Sequence, residues 1–351
     1  MIKLCAIIIL SLWLIVFIAH KLLTHSELKK MAAAGVYNPV TIENYDLNVY
    51  LYGSENGSHT IVPMSGQGVN TFSMSIKGVT DKFAEKNRIA VVDRAGYGLS
   101  DSTNTPQTVD RIVDDYRTAL KRAGCNAPYI LLAHSISGLY ASYWQSVHPE
   151  EIEGILFLEG SMPNFDYIDH SSPFHELFLT AMCNTGLQRL FHDSMKGEIS
   201  YRSLKMQEQK FAKAMEMHST YTYAQHSESV LFIENCRKTL NVMQKTNIPK
   251  IYVYCQPDNF DETKEYLEYK NKTYEFYGKK PPYDLNNDAI IDRMANEFMD
   301  SNIDMLQYLS EFSSYIGNCK IEHVAGIHNI YKQKPSEIAA LLAELIKTIE
   351  K

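Results

Sequence analysis

Short apolar runs of strand length alternate with helical stretches through the first half of the chain, and this alternation restricts the fold more than any other feature. Residues 60–64, 88–92, 129–133 and 154–158 are mostly β-branched or aliphatic, as expected of strands buried on both faces. Between two of them, Val109, Ile112, Val113, Tyr116 and Leu120 repeat at helical spacing over residues 108–122, and Gly124 is placed to end that helix. Residues 40–43 and 47–52, separated by Asn44-Tyr45-Asp46, read as a hairpin. The pattern predicts an α/β fold, with a mostly parallel sheet flanked by helices on both faces and made mixed by the antiparallel start.

The second half is less regular. Residues 161–247 lack strand runs and are rich in Met, Phe, Leu and His at helical periodicity, which predicts a long helical section. A strand signal returns at 249–255, a further helical insertion covers about 259–316, and a short strand follows at 320–324. Ile338, Leu341, Leu342, Leu345, Ile346 and Ile349 form one stripe of a last helix, entered after Pro335-Ser336. No linker or repeat separates two domains, although 351 residues would suffice for one large or two small ones.

The first two dozen residues differ from the rest. Residues 4–19 are apolar except for Ser11; Lys3 precedes them and His20-Lys21 follows. With Ile2, Leu22 and Leu23 the run reaches the roughly 18 to 20 residues needed to span a bilayer. A secretory signal peptide shares the charged start and apolar middle, but no small-x-small pair closely follows the run. An uncleaved signal-anchor over residues 1–24 is therefore expected, making the protein single-pass. A strict Lys/Arg count favours a cytoplasmic remainder. A signal-anchor ahead of a large domain more often exports it, so the catalytic part is expected on the extracytoplasmic side.

Charge and cysteine usage exclude other classes. With 34 Lys and Arg against 41 Asp and Glu, the net charge is −7, unsuited to a nucleic-acid binder. Six cysteines in so long a chain are no disulfide scaffold. Gly66-Gln67-Gly68 and Gly96-Tyr97-Gly98 lack the third glycine of a dinucleotide fingerprint, and no phosphate loop or metal-ligand motif is present. No cofactor and no metal are expected.

The chemistry centres on Ile130-Leu131-Leu132-Ala133-His134-Ser135-Ile136-Ser137-Gly138, a buried strand running directly into a helix. A nucleophile at such a junction sits on a strained turn, and its neighbours two residues away on either side must be small. Here these are Ala133 and Ser137, where glycine is usual. Taken alone, a serine at a strand end is more often an ordinary helix cap than a nucleophile.

Three further blocks accompany this one. Asp93-Arg94-Ala95-Gly96-Tyr97-Gly98-Leu99-Ser100-Asp101 follows a strand; His148-Pro149-Glu150-Glu151-Ile152-Glu153-Gly154-Ile155 enters another; and Gly326-Ile327-His328 runs to Lys334-Pro335-Ser336-Glu337-Ile338. In their order and spacing these blocks resemble the α/β-hydrolase superfamily, specifically capped serine hydrolases similar to the proline-iminopeptidase, esterase and haloperoxidase-like group. The resemblance covers about residues 40–160 and 248–351. It implies one catalytic core (36–160 and 248–351) interrupted by a cap at 161–247, since a cut into two sequential domains would split the site.

The resemblance also implies the roles. Ser135 is the nucleophile and His328 the base, with His323 as its competitor. Asp258, just beyond the strand at 249–255, stands where the family carries its acid, and Glu159 is the alternative. The oxyanion hole combines the backbone amides of Ile136 and Gln67, with Ser65 in place of the family's usual histidine. Cys255 stands where glycine is usual. A serine at the elbow also argues against the carboxylate nucleophile of dehalogenases and epoxide hydrolases.

A membrane-anchored hydrolase of a small apolar ester, thioester or amide is expected, with a small-molecule substrate. The alternatives are a catalytically silent binding module, suggested by the departures at Ala133, Ser137, Ser65 and Cys255, and an acyltransferase using the same triad. Leu187, Leu190, Phe191, Met195, Met206, Phe211, Met215 and Met217 are possible pocket residues of the cap. Glu176, Glu198, Glu208 and Glu216 are cap carboxylates available to hold an amine.

Overall fold

A computed structural model describes residues 2–163, 180, 182–190 and 204–351. Its centre is an eight-stranded sheet: β1 (Pro39–Thr41), β2 (Asp46–Gly53), β3 (Thr60–Met64), β4 (Arg88–Val92), β5 (Tyr129–His134), β6 (Ile152–Leu158), β7 (Lys250–Tyr254) and β8 (Cys319–His323). The spatial order is β1-β2-β4-β3-β5-β6-β7-β8. The β1–β2 and β2–β4 pairings are antiparallel, and every other pairing is parallel. The mixed sheet expected from the alternation is therefore present, with the hairpin as its antiparallel edge.

The continuous apolar runs are explained by cover on both faces. Along β5, Leu131 and Ala133 point into one core with Tyr116, Leu139 and Trp144, while Ile130 and Leu132 point into the other with Phe72, Ile338 and Leu342. The same division separates Ile155 and Phe157 from Leu156 and Leu158 on β6. The first face is covered by α4 (Val109–Arg122) and α5 (Ser137–Val147); the second by the short α2 (Phe72–Ser75) and α3 (Lys77–Thr80) and by the C-terminal α12 (Pro335–Ile349).

Between β6 and β7 the chain forms α6 (Met206–Ser219), α7 (Tyr223–Val230) and α8 (Phe232–Val242); between β7 and β8 it forms α9 (Phe260–Phe276) and α10 (Asp288–Ile316). A short α11 (Ile330–Gln333) precedes α12.

The amino-terminal helix α1 runs from Ile2 to Ala33, beyond the expected limit at residue 24. Its early apolar side chains, among them Leu4, Ile7, Ile9, Leu10 and Leu22, are exposed, and it is long and apolar enough to cross a membrane. Its last turns are part of the folded body. Met31 is buried with Ala212, Ala214 and Met215 of α6, and Glu27 pairs with Arg189 at 2.7 Å.

One close approach fixes α5 against the sheet. A Cβ added at Gly138 would lie 2.6–2.8 Å from backbone atoms of Gly160 and Ser161. The glycine thus lets the first turn of α5 touch the segment leaving β6. Gly138→Ala should cost about 1–3 kcal/mol by overpacking, read as a lower unfolding midpoint in calorimetry; an unchanged midpoint would refute the close approach.

Candidate active site

The end of β5 delivers Ser135 in an unusual backbone state. Ser135 has φ 54°, in the left-handed region that costs a residue with a Cβ about 1–3 kcal/mol unless its surroundings hold it there. They do so through two backbone bonds to the neighbouring strand segment: Ser135 N–H to the Leu158 carbonyl (3.1 Å), and Ser161 N–H to the Ser135 carbonyl (2.7 Å). The small neighbours have definite roles. Ala133 is fully buried beneath the turn, and the Ser137 hydroxyl donates to the Ser65 carbonyl at 2.6 Å.

Glu159 mirrors this arrangement on the adjacent strand. It is the first residue past β6, also left-handed at φ 50°, and its amide donates to the Val253 carbonyl at 2.9 Å. One carboxylate oxygen accepts the Cys255 N–H at 2.5 Å; the other lies 3.4 Å from Nδ1 of His328. His328 arrives on the loop after β8, held by Gly326 N–H to the Cys255 carbonyl (2.7 Å) and by Ile327 N–H to the Gln333 side chain (2.8 Å). With Nδ1 turned to Glu159, Nε2 of His328 is the nitrogen left for a hydroxyl.

Asp258, expected as the acid, does not face His328. It lies four residues beyond the end of β7, half-exposed, 3.5 Å from Nδ1 of His323. The physical reason is distance along the chain. Residues 255–257 carry the backbone away from the strand edge, and the Asp258 amide is taken up by Glu262 at 3.0 Å, at the start of α9. His323 stacks on Tyr254 with ring centroids 4.4 Å apart and bonds the Gln256 carbonyl, which makes it structural. The structure thus brings together Ser135, His328 and the alternative acid, Glu159.

These residues border one cavity of about 260 Å³, lined by Gln67, Ser135, Ile136, Glu159 and His328 with Met162, Phe232, Tyr252 and Met305. Among the described residues, neither the Gln67 nor the Ile136 backbone amide has a hydrogen-bond partner, so both are available to an oxygen in the cavity. Gly66 permits the Gln67 loop to approach, since a Cβ there would fall 2.6 Å from Nδ1 of His134 and 3.0 Å from Cβ of Ser135.

The possible pocket residues of the cap that are among the described residues lie elsewhere. Leu187, Leu190, Met206, Phe211, Met215 and Met217 do not line this cavity; Met215 and Met217 are buried in packing and Leu190 and Met206 are exposed. Phe191, Met195, Glu176 and Glu198 fall outside the described residues. Glu208 caps α6 through the Lys205 amide, and Glu216 is buried. Two surface groups, Asp258–Glu262–His323 and His148–Glu150–Glu151, bring potential ligand atoms within 4.8 Å of one another, but none of these residues lines the cavity.

Two participants were missed from sequence. His134 is fully buried; its Nε2 bonds the His328 carbonyl at 3.1 Å, and the two rings lie 4.9 Å apart. Burial, reinforced by the neighbouring His328, pushes its imidazole well below the usual histidine range. The other is Glu228 of α7, a buried carboxylate paired with Arg94 at 2.8 Å. Burial opposes the charge on Arg94, and the adjacent Glu228 more than compensates, so the guanidinium stays protonated. An arginine leaving a buried strand demands a carboxylate, but nothing in the sequence says which one.

No family model matches the chain. It is similar to the uncharacterized protein YbdG of Bacillus subtilis, 27% identical over 352 residues that cover 98% of this chain and 95% of that one. Among solved structures it resembles an epoxide hydrolase from Bacillus megaterium (TM-score 0.58, 13% identity, 88% of this chain and 100% of that one). It also resembles an esterase from Exiguobacterium antarcticum (TM-score 0.56, 12% identity, 89% and 99%). The protein has the α/β-hydrolase fold, as the resemblance in its sequence implied.

The buried His134 generates a test. Its folded-state pKa lies below the unfolded value, so the unfolded chain takes up the proton first. The associated stability is present above about pH 6.5 and is lost as pH falls below it. Unfolding midpoints between pH 7.5 and 5 should therefore fall more steeply in the wild type than in His134→Asn; parallel curves would contradict the assignment.

Proposed function

We propose that this protein is a serine hydrolase that cleaves a small, apolar ester, thioester or amide through an acyl-enzyme on Ser135. The observation that carries this reading is the shared cavity: a serine on a left-handed strand-to-helix turn, a histidine whose Nδ1 faces a carboxylate 3.4 Å away, and two amides with no partner among the described residues. Ser135 Oγ attacks the substrate carbonyl as Nε2 of His328 takes its proton. Glu159 holds the ring and stabilises the imidazolium. The Gln67 and Ile136 amides receive the oxyanion. The tetrahedral species collapses, the protonated histidine gives its proton to the leaving group, and water then hydrolyses the acyl-enzyme by the reverse sequence of proton transfers. Helix α1 is proposed as a single-pass anchor holding the catalytic part on the extracytoplasmic side; the core divides as 36–160 and 248–351 with the cap between.

The binding-module alternative was motivated by four unusual residues at motif positions, and each is compatible with a working site. Ala133 and Ser137 are small enough for the turn, Ser65 accepts from Arg94, and the Cys255 amide binds Glu159. An acyltransferase would use the same groups with an acceptor other than water.

Reaction with a fluorophosphonate, followed by intact-mass measurement, should add one adduct to the wild type and none to Ser135→Ala. Glu159→Gln should lower kcat/KM for an ester by about 10³–10⁴-fold, the order seen when a triad acid is made neutral. Asp258→Asn should stay within about threefold of the wild type, because no reacting group touches it. Labelling of Ser135→Ala, or equal effects at 159 and 258, would overturn the assignment.

Cavity size predicts selectivity. About 260 Å³ lies just below the usual span of small-molecule sites, roughly 300–1,000 Å³. p-Nitrophenyl acetate and butyrate should exceed the palmitate in kcat/KM by about tenfold or more; a preference for palmitate would contradict a small pocket.

A further inference from the structure

The buried pair Arg94–Glu228 has no part in the proton transfers proposed above, yet it is built into the same region. Arg94 follows β4, and Glu228 lies on α7 of the cap; they are 3% and 1% exposed. Nε of Arg94 donates to one carboxylate oxygen of Glu228 at 2.8 Å and Nη2 to the other at 3.3 Å. The hydroxyls of Tyr140 (2.7 Å) and Tyr97 donate to the same carboxylate, and the Tyr97 ring lies 4.3 Å from the guanidinium.

The rest of the guanidinium faces the loop that carries Gln67. Nη1 donates to the Ser65 carbonyl (2.6 Å) and hydroxyl (2.8 Å), and Nη2 reaches the Gly66 carbonyl (3.4 Å). The Tyr97 hydroxyl accepts the Gly68 amide at 3.3 Å. In a trans peptide, the carbonyl of one residue and the amide of the next point in opposite directions within one plane. Holding the Gly66 carbonyl toward Arg94 therefore turns the Gln67 N–H away from it, and Gln67 lines the cavity.

We propose that Arg94 and Glu228 are positioning residues: the pair fixes the 65–68 loop so that the Gln67 amide is aimed at the oxyanion, and it makes that aim dependent on cap helix α7. The inference rests on the serine-hydrolase reading and extends it to a coupling between cap and oxyanion hole. Replacing a buried ion pair by apolar groups of similar volume commonly preserves folding, whereas removing one partner strands a charge. The double variant Arg94→Met/Glu228→Leu is thus the informative one, with Arg94→Lys as a second that keeps the charge but lacks the guanidinium's second arm.

The experiment measures the unfolding midpoint, kcat and KM for p-nitrophenyl butyrate, and the affinity of an alkyl boronic acid, which forms an anionic tetrahedral adduct with a serine. Removing a whole oxyanion donor costs about 10²–10³-fold in kcat, so a misaimed one should cost about 10–100-fold. The expected result is a folded variant with kcat lowered by that factor, KM within about twofold, and boronate affinity lowered in parallel with kcat. A purely structural role would leave kcat and boronate affinity of the folded variants unchanged. Either variant, folded and within about twofold of the wild type in both quantities, overturns the proposal. A wild type that neither turns over the ester nor binds the boronate overturns the hydrolase reading itself, and this inference with it.

Discussion

The left-handed turn at Ser135 is the constraint on which the rest of the site depends. A serine does not choose φ 54° on its own account; it is held there because β5 is paired on both sides in the middle of the sheet and α5 is pressed against the segment leaving β6. The same pairing places the end of β6 beside the end of β5, so that Glu159, one residue past its strand, emerges next to the serine turn. Two strained residues on neighbouring parallel strands thus face one cavity at the carboxyl edge of the sheet, where open α/β sheets bind their ligands.

Polar side chains around the turn form two groups, one bordering the cavity and one buried. On one side, Glu159, the Cys255 amide and His328 form a chain that orients an imidazole. On the other, Arg94, Glu228, Tyr97 and Tyr140 satisfy one another and grip the loop before Gln67. Between the groups sits His134, kept neutral by burial and bonded to the backbone of His328. A buried polar network of this kind contributes little net stability, but it specifies one arrangement of the loops it touches.

The sheet was legible in the sequence because strands covered on both faces leave short unbroken apolar runs, and 60–64 and 88–92 were found with their ends in place. That Ser135, His328, Gln67 and Ile136 border one cavity was anticipated by the order of the blocks through which the sequence resembles α/β-hydrolases. The acid was not decided by such signals. Glu159 and Asp258 both follow a strand, and only the pairing of β5 with β6 shows which carboxylate stands beside Ser135. Cap residues failed for a related reason: helical periodicity identifies a buried face but not what buries it, and Met215 packs against α1 rather than the cavity. The wall of the cavity instead draws on Phe232, Tyr252 and Met305, from three separate elements.

The most direct test of the central claim is a crystal structure of the protein after reaction with a p-nitrophenyl alkylphosphonate. The account predicts phosphorus bonded to Ser135 Oγ, its non-ester oxygen within hydrogen-bond distance of the Gln67 and Ile136 amides, and His328 held at Nδ1 by Glu159. An adduct on another residue, or His328 turned to Asp258, would contradict it.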